Sequence, residues 1–116
     1  MNSPRDIAAA EVLRLGAQER IDARKGAQER NRLGQFATPP SLALDITRHA
    51  KTLLGRRTGI RFLDPAFGTG SFYSALRHTF PENAIAAAAG VEIDPDFVDA
   101  ARGIWGGTAL RVISGD

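Results

Sequence analysis

The chain has no cysteine in 116 residues, which removes disulfides, thiolate nucleophiles and thiolate zinc sites together. Its two histidines, His49 and His78, are too few for a metal centre, and neither has an acid at the spacing a catalytic base needs. No apolar run approaches the roughly 18 residues of a membrane span. The N-terminus lacks both a signal-peptide core and the acid-poor character of a transit peptide. Neither a metal nor a membrane is therefore expected, and a soluble cytoplasmic protein is the default expectation. Charge of one sign is scarce as well, with 15 basic and 13 acidic residues for a net charge of +2. That balance excludes a basic nucleic-acid tail and leaves composition silent about the partner. At this length one small domain is the most the chain can hold.

Two textures divide the chain. Residues 1–33 are rich in Ala, Arg, Glu and Gln and read as a charged helical segment with a thin apolar stripe, interrupted by Gly16 and Gly26. Each glycine costs a helix about 1 kcal/mol relative to alanine. The pentapeptide Gly-Ala-Gln-Glu-Arg stands at both Gly16–Arg20 and Gly26–Arg30, but the copies fall about 80° apart around a helix at about 100° per residue. This reads as a local duplication in a solvated helix. The competing reading is a phosphate-touching stripe of Arg20, Arg24, Lys25, Arg30 and Arg32.

Residues 34–116 have the texture of an α/β domain. Thr38 stands where it can cap a helix whose first turn holds Pro39 and Pro40, with Leu42, Ile46 and Leu53 recurring at helical spacing on its inner side. Ile60 to Leu63 reads as a strand and Ser71 to about Phe80 as a helix. Ala84 to Ile93 reads as a buried second strand. Asp94 can cap the next helix, which opens at Pro95 and turns Phe97, Val98, Ala101 and Ile104 inward. Gly106 and Gly107 stop it, and Leu110 to Ile113 forms a third strand. Strands alternating with helices at this spacing predict a parallel sheet with right-handed crossovers. The ligand site of such a sheet lies at the C-terminal ends of its strands.

Three features fall on that edge. The first is the turn from Asp64 to Ser71, where glycines allow positive φ and close approach of a ligand, and the following helix offers unpaired amides. Asp64 would repel a pyrophosphate and suit a cation such as an ammonium. The second is Glu92 with Asp94, Glu92 standing at the strand end where nucleoside-binding folds place an acid for both ribose hydroxyls. The third is Asp116. A nicotinamide fingerprint beginning at Gly68 would need glycine or alanine where Tyr73 stands, so the turn does not read as a dinucleotide motif.

The order Asp64-Pro65-Ala66-Phe67-Gly68-Thr69-Gly70 resembles the glycine motif of the class I S-adenosylmethionine-dependent methyltransferases. The resemblance implies a partial Rossmann-like fold of three parallel strands with flanking helices, preceded by the N-terminal helical segment. It implies S-adenosyl-L-methionine as cofactor, held by Thr38, Asp64, Pro65, Ala66, Gly68, Gly70, Glu92, Ile93 and Asp116. In that scheme Asp64 meets the ammonium and amides near Gly68 and Gly70 meet the methionine part. Glu92 takes the diol, Ile93 an adenine face and Asp116 the adenine amino group.

Three motifs taken together resemble the adenine-specific DNA methyltransferases of restriction-modification systems. They are Gly34-Gln35-Phe36-Ala37-Thr38-Pro39-Pro40, Asp64 to Phe72, and Gly90-Val91-Glu92-Ile93-Asp94-Pro95, with Ser114-Gly115-Asp116 similar to the start of a fourth. The first is expected to fold over the methionine end of the cofactor. That family carries an Asn-Pro-Pro-aromatic or Asp-Pro-Pro-aromatic loop that holds a flipped adenine, and no such tetrapeptide occurs here. The resemblance thus implies the N-terminal, cofactor-binding part of a DNA-modifying enzyme, residues 34–116 being a partial domain with no catalytic residue of its own. Alone, it is expected to bind cofactor weakly or not at all, transfer no methyl group, and pair with the remainder of the enzyme. A protein or RNA methyltransferase with the same cofactor fold, or a non-catalytic binding or regulatory piece, are the alternatives.

Overall fold

A computed structural model describes residues 6–33 and 36–116, with the side chains of 30–33 excluded. Met1 to Arg5, Gly34 and Gln35 of the first motif, and the side chains of Arg30 and Arg32 lie outside the described residues. The elements run α1 (Ile7–Leu33), α2 (Pro40–Leu54), β1 (Ile60–Asp64), α3 (Ser71–Thr79), a single 3-10 turn (Glu82–Ala84), β2 (Ile85–Glu92), α4 (Pro95–Trp105) and β3 (Leu110–Ser114). The three strands form one parallel sheet in the order β1-β2-β3. This is the expected α/β architecture. Asp64 pairs with Gly90, and Glu92 with Ser114, so the three strands end together along one edge.

The core gathers on one side of the sheet. Ala10 and Ala17 of α1, Tyr73 and Leu76 of α3, and Ala101, Ile104 and Trp105 of α4 join Ile85 and Ala88 of β2, with Leu54, Phe62 and Val112 packed against them. The side chains that alternate with these, Leu63 of β1 and Ile113 of β3, are exposed. Strand two is accordingly less buried than its apolar run suggests, since Ala86 and Ala87 are both exposed. A register shift between Ile60 and Arg61 leaves Ala86 without a partner on β1, and such a bulge turns two successive residues outward.

Helix ends follow local chemistry, with one correction. Thr38 does not cap α2; Pro39 is the cap, at φ −55° and ψ 140°, and no side chain bonds the first turn. Pro39 precedes Pro40, and a residue before proline is pushed out of the helical region by the next ring, so the helix starts one residue later than expected. Asp94 does cap α4, accepting from the Asp96 amide at 2.9 Å. Gly16 stays helical, whereas Gly26, at φ 73° and ψ 161°, breaks α1 where the second pentapeptide copy begins.

The inner side of α2 is also displaced from the expected one. Ala43 and Thr47 are buried while Leu42, Ile46 and Leu53 are exposed. The Thr47 hydroxyl finds Thr79 at 3.1 Å on α3, so small and polar residues make the close helix contact that the leucine spacing pointed away from. On α3 every residue from Tyr73 to Arg77 is buried, because α1 and α2 cover the flank that the sheet does not. Tyr73 is fully buried, packed edge-on to Trp105 with ring centroids 5.0 Å apart at 89°. An aromatic pair of this geometry contributes about 0.5–1.5 kcal/mol beyond its burial.

Candidate functional site

At the shared C-terminal edge of the strands lies a cavity of about 470 Å³, within the range of small-ligand pockets. Its walls include Thr38, Asp64, Pro65, Ala66, Gly68, Glu92, Ile93 and Asp116. Of the nine expected site residues only Gly70 does not line it. A Cβ on Gly70 would sit 2.6 Å from the Trp105 indole nitrogen and 2.7 Å from the Phe67 ring. Gly70 therefore faces the core, where two aromatic rings need its space, and its φ of 99° opens α3.

The glycine turn is held by a short circuit of hydrogen bonds. Asp64 accepts from the Ala66 amide at 3.0 Å, bending the chain sharply after β1. The Phe67 amide donates across to the Val91 carbonyl, and the Gly70 amide to the Phe67 carbonyl, both at 3.0 Å. Between them Gly68 takes φ 59°, a left-handed conformation that strongly favours glycine. The space beside it is open, since a Cβ at this position would meet no atom beyond its chain neighbours within 4 Å.

Glu92 ties the two loops of the cavity together. It is buried, and its oxygens accept separately from the Gly68 amide at 2.7 Å and the Asp94 amide at 2.9 Å. Its own carbonyl accepts from the Gly115 amide at 2.9 Å, which draws the chain before Asp116 onto the same edge. A carboxylate offers about four acceptor sites, so two bonds leave capacity for a ligand's hydroxyls. Ser71 donates to the Thr38 carbonyl at 2.7 Å, and Phe36, Ala37 and Thr38 line the cavity with it.

The charge lining the cavity has one sign. Asp64, Glu92 and Asp116 are its ionisable side chains, and no lysine, arginine or histidine stands among the described lining residues. Such a lining disfavours a phosphate and favours a cation. The rest is largely apolar, from Phe36, Phe67, Phe72, Val91, Ile93 and Phe97.

One lining residue lies outside every motif read from the sequence. Gln18 of α1 reaches the cavity, where its Oε1 accepts from the Thr69 hydroxyl at 2.8 Å. Arg14, buried on the same helix, donates to that hydroxyl at 3.3 Å and to both oxygens of Glu11. Lys25 pairs with Asp94 at 2.7 Å, and its hydrogen bond to that carboxylate raises the lysine pKa. Lys25 thus faces an acid of its own chain rather than an outside phosphate, while Arg20 and Arg24 are exposed. His49 and His78 are exposed as well. Gln18 belongs to the first pentapeptide copy, and that repetition is the one sequence signal that sets the segment apart.

The fold has known counterparts. The chain aligns with a proposed RNA methyltransferase from Pyrococcus horikoshii at a TM-score of 0.53 and 25% identity, covering 71% of this chain and 41% of that one. It shares the methyltransferase fold. A second counterpart is an amino pentose methyltransferase of calicheamicin biosynthesis from Micromonospora echinaspora, solved with S-adenosylmethionine bound. There the TM-score is 0.51 and the identity 24%, over 77% of this chain and 34% of that one. This chain spans less than half the length of either. No family model matches it.

Proposed function

We propose that the cavity binds S-adenosyl-L-methionine, and that this chain is the cofactor-binding part of a methyltransferase acting on the exocyclic amino group of adenine in DNA. The observation that carries the cofactor is the lining: three carboxylates, no cation among the described lining residues, and open space beside Gly68 in the turn. That inventory matches a ligand bearing a sulfonium and an ammonium but no phosphate. Asp64 would hold the ammonium, the turn around Gly68 the methionine part, Glu92 the ribose diol, Ile93 the adenine face and Asp116 its amino group. The cofactor supplies an electrophilic methyl group on sulfur, and the chain's own part is to orient it and keep its charge matched.

The DNA reading draws support from Phe36, Ala37 and Thr38 lining the cavity, since the resemblance expects that segment over the methionine end. An RNA substrate is the second reading, favoured by the Pyrococcus horikoshii counterpart. Ligand-observed NMR of this chain with S-adenosylhomocysteine and with a nicotinamide dinucleotide tests the cofactor. Weak binding of the first and none of the second is expected, and the reverse overturns the assignment. For the substrate, an Asn-Pro-Pro-aromatic motif is expected in the coding sequence after Asp116, and its absence removes the DNA reading.

A further inference from the structure

The N-terminal helix grips both loops that bracket the cavity. Thr69, buried between Gly68 and Gly70, donates to Gln18 and accepts from Arg14. About two turns further along the same helix, Lys25 reaches Asp94, whose carboxylate also caps α4. Gln18 and Lys25 lie seven residues apart, hence on one face of α1. The loops they hold meet at Glu92, which accepts from the Gly68 amide on one side and the Asp94 amide on the other. The helical stretch from Gln18 to Lys25, which ends where Gly26 breaks α1, therefore spans the same two loops that Glu92 joins.

We propose that α1 is a latch that fixes the spacing between the glycine turn and the Glu92–Asp94 loop, with Gln18 and Lys25 as positioning residues for the ligand held between them. The ligand half of this statement rests on the S-adenosylmethionine reading above; the loop half does not. Charge alone makes the opposite prediction. Lys25 is a cation beside a carboxylate-lined cavity, so if it acted only through its field, removing it would tighten the binding of a cationic ligand.

Lys25→Met keeps an unbranched stem and removes the ammonium, Gln18→Leu removes the amide, and Lys25→Arg is the conservative variant. Amide hydrogen exchange by NMR, without ligand, should show the Gly68 and Asp94 amides exchanging about tenfold faster in the Met and Leu variants. The amide of Ala88 in β2 should be unchanged, and Lys25→Arg should restore the parent pattern. In titrations with S-adenosylmethionine, the Met and Leu variants should bind about fivefold more weakly. Unchanged loop exchange overturns the latch. So does equal acceleration at Ala88, which would mark a general loss of stability, and so does tighter binding by Lys25→Met. If the parent chain binds no S-adenosylmethionine, the ligand half of the proposal falls, and the exchange data still decide the latch.

Discussion

Replacing Gly90 by alanine separates what the site's glycines do for the ligand from what they do for the core. A Cβ at Gly90 would lie 2.3, 2.5 and 2.9 Å from three atoms of the Phe67 ring. Carbon atoms sit comfortably at about 3.5–4.0 Å, so the ring would have to retreat by about 1.2 Å or more. It has little room. Phe67 is buried, its tip already occupies the place of the missing Cβ of Gly70, and its backbone is bonded to Val91 and Gly70. Gly90 has no positive φ, so backbone strain does not enter. Left to the unfolded-chain effect, alanine would stabilise by about 0.4–1 kcal/mol. Overpacking costs about 1–3 kcal/mol and occasionally more, and the pinned ring places this site at the upper end. A net loss of about 2–3 kcal/mol is expected in urea unfolding followed by circular dichroism.

The sign should change when the ring is removed. Phe67→Ala alone should cost about 3–5 kcal/mol through its cavity. In that background Gly90→Ala has nothing to strike and should be neutral or slightly stabilising. The double-mutant cycle then carries a coupling energy of about 2–3 kcal/mol, far above the few tenths expected of independent sites. A Gly90→Ala loss below about 0.5 kcal/mol, or additive effects in the cycle, would refute the packing account. A domain of this kind holds about 5–15 kcal/mol in all, so the Gly90 variant should still fold and be measurable.

Further substitutions probe the neighbouring contacts. Trp105→Phe removes the indole donor to the Thr69 carbonyl, a buried bond of 2.9 Å, and should cost about 1–3 kcal/mol as that carbonyl loses its partner; thermal unfolding by circular dichroism reads it. Asp64→Asn should weaken S-adenosylhomocysteine binding about tenfold in NMR titration while leaving the unfolding midpoint within about 2 °C, a shift worth well under 1 kcal/mol for this size. Burial pushes the Glu11 carboxyl up, but its hydrogen bonds with Arg14 and Ser74 prevail and hold its pKa below the ordinary range. The stabilisation from a depressed carboxylate is complete above the unfolded pKa and disappears as pH falls through the folded one. Glu11→Gln should therefore cost stability at pH 7 and flatten the acid limb of the stability curve measured between pH 6 and about 2.

What the sequence reveals of this molecule is local chemistry repeated at the right spacing. The sheet can be read because its strands and helices are bounded by residues with one physical job each: Asp64 bending into a glycine turn, Asp94 capping α4, Gly106 and Gly107 ending it. These jobs need no knowledge of distant contacts. Eight of the nine expected site residues line one cavity for the same reason, since a parallel sheet brings its strand ends together whatever its core contains. Gly70 is the exception because a glycine that makes room for a ligand and one that makes room for a ring look alike in sequence. Only the Phe67 and Trp105 rings at 2.7 and 2.6 Å distinguish them.

The helix α1 is harder to read for a different reason. Its apolar content is thin, and hydrophobic periodicity is the main signal for which face packs, so a solvated helix is the natural expectation. Beside the small apolar contacts of Ala10, Ala17 and Ile21, what fastens α1 is polar: Arg14 at 1% exposure, Gln18 on Thr69 and Lys25 on Asp94. A buried arginine must be hydrogen-bonded to be tolerated, and Arg14 meets that demand with the Glu11 carboxylate on one side and the Thr69 hydroxyl on the other. Polar fastening is more directional than apolar contact, because each bond fixes an atom rather than an area. A helix attached in this way is poorly suited to adding bulk to the core and well suited to holding the glycine turn and the α4 cap at a set distance. The same polarity that hides α1 from a hydrophobic reading is therefore what gives it a role at the cavity.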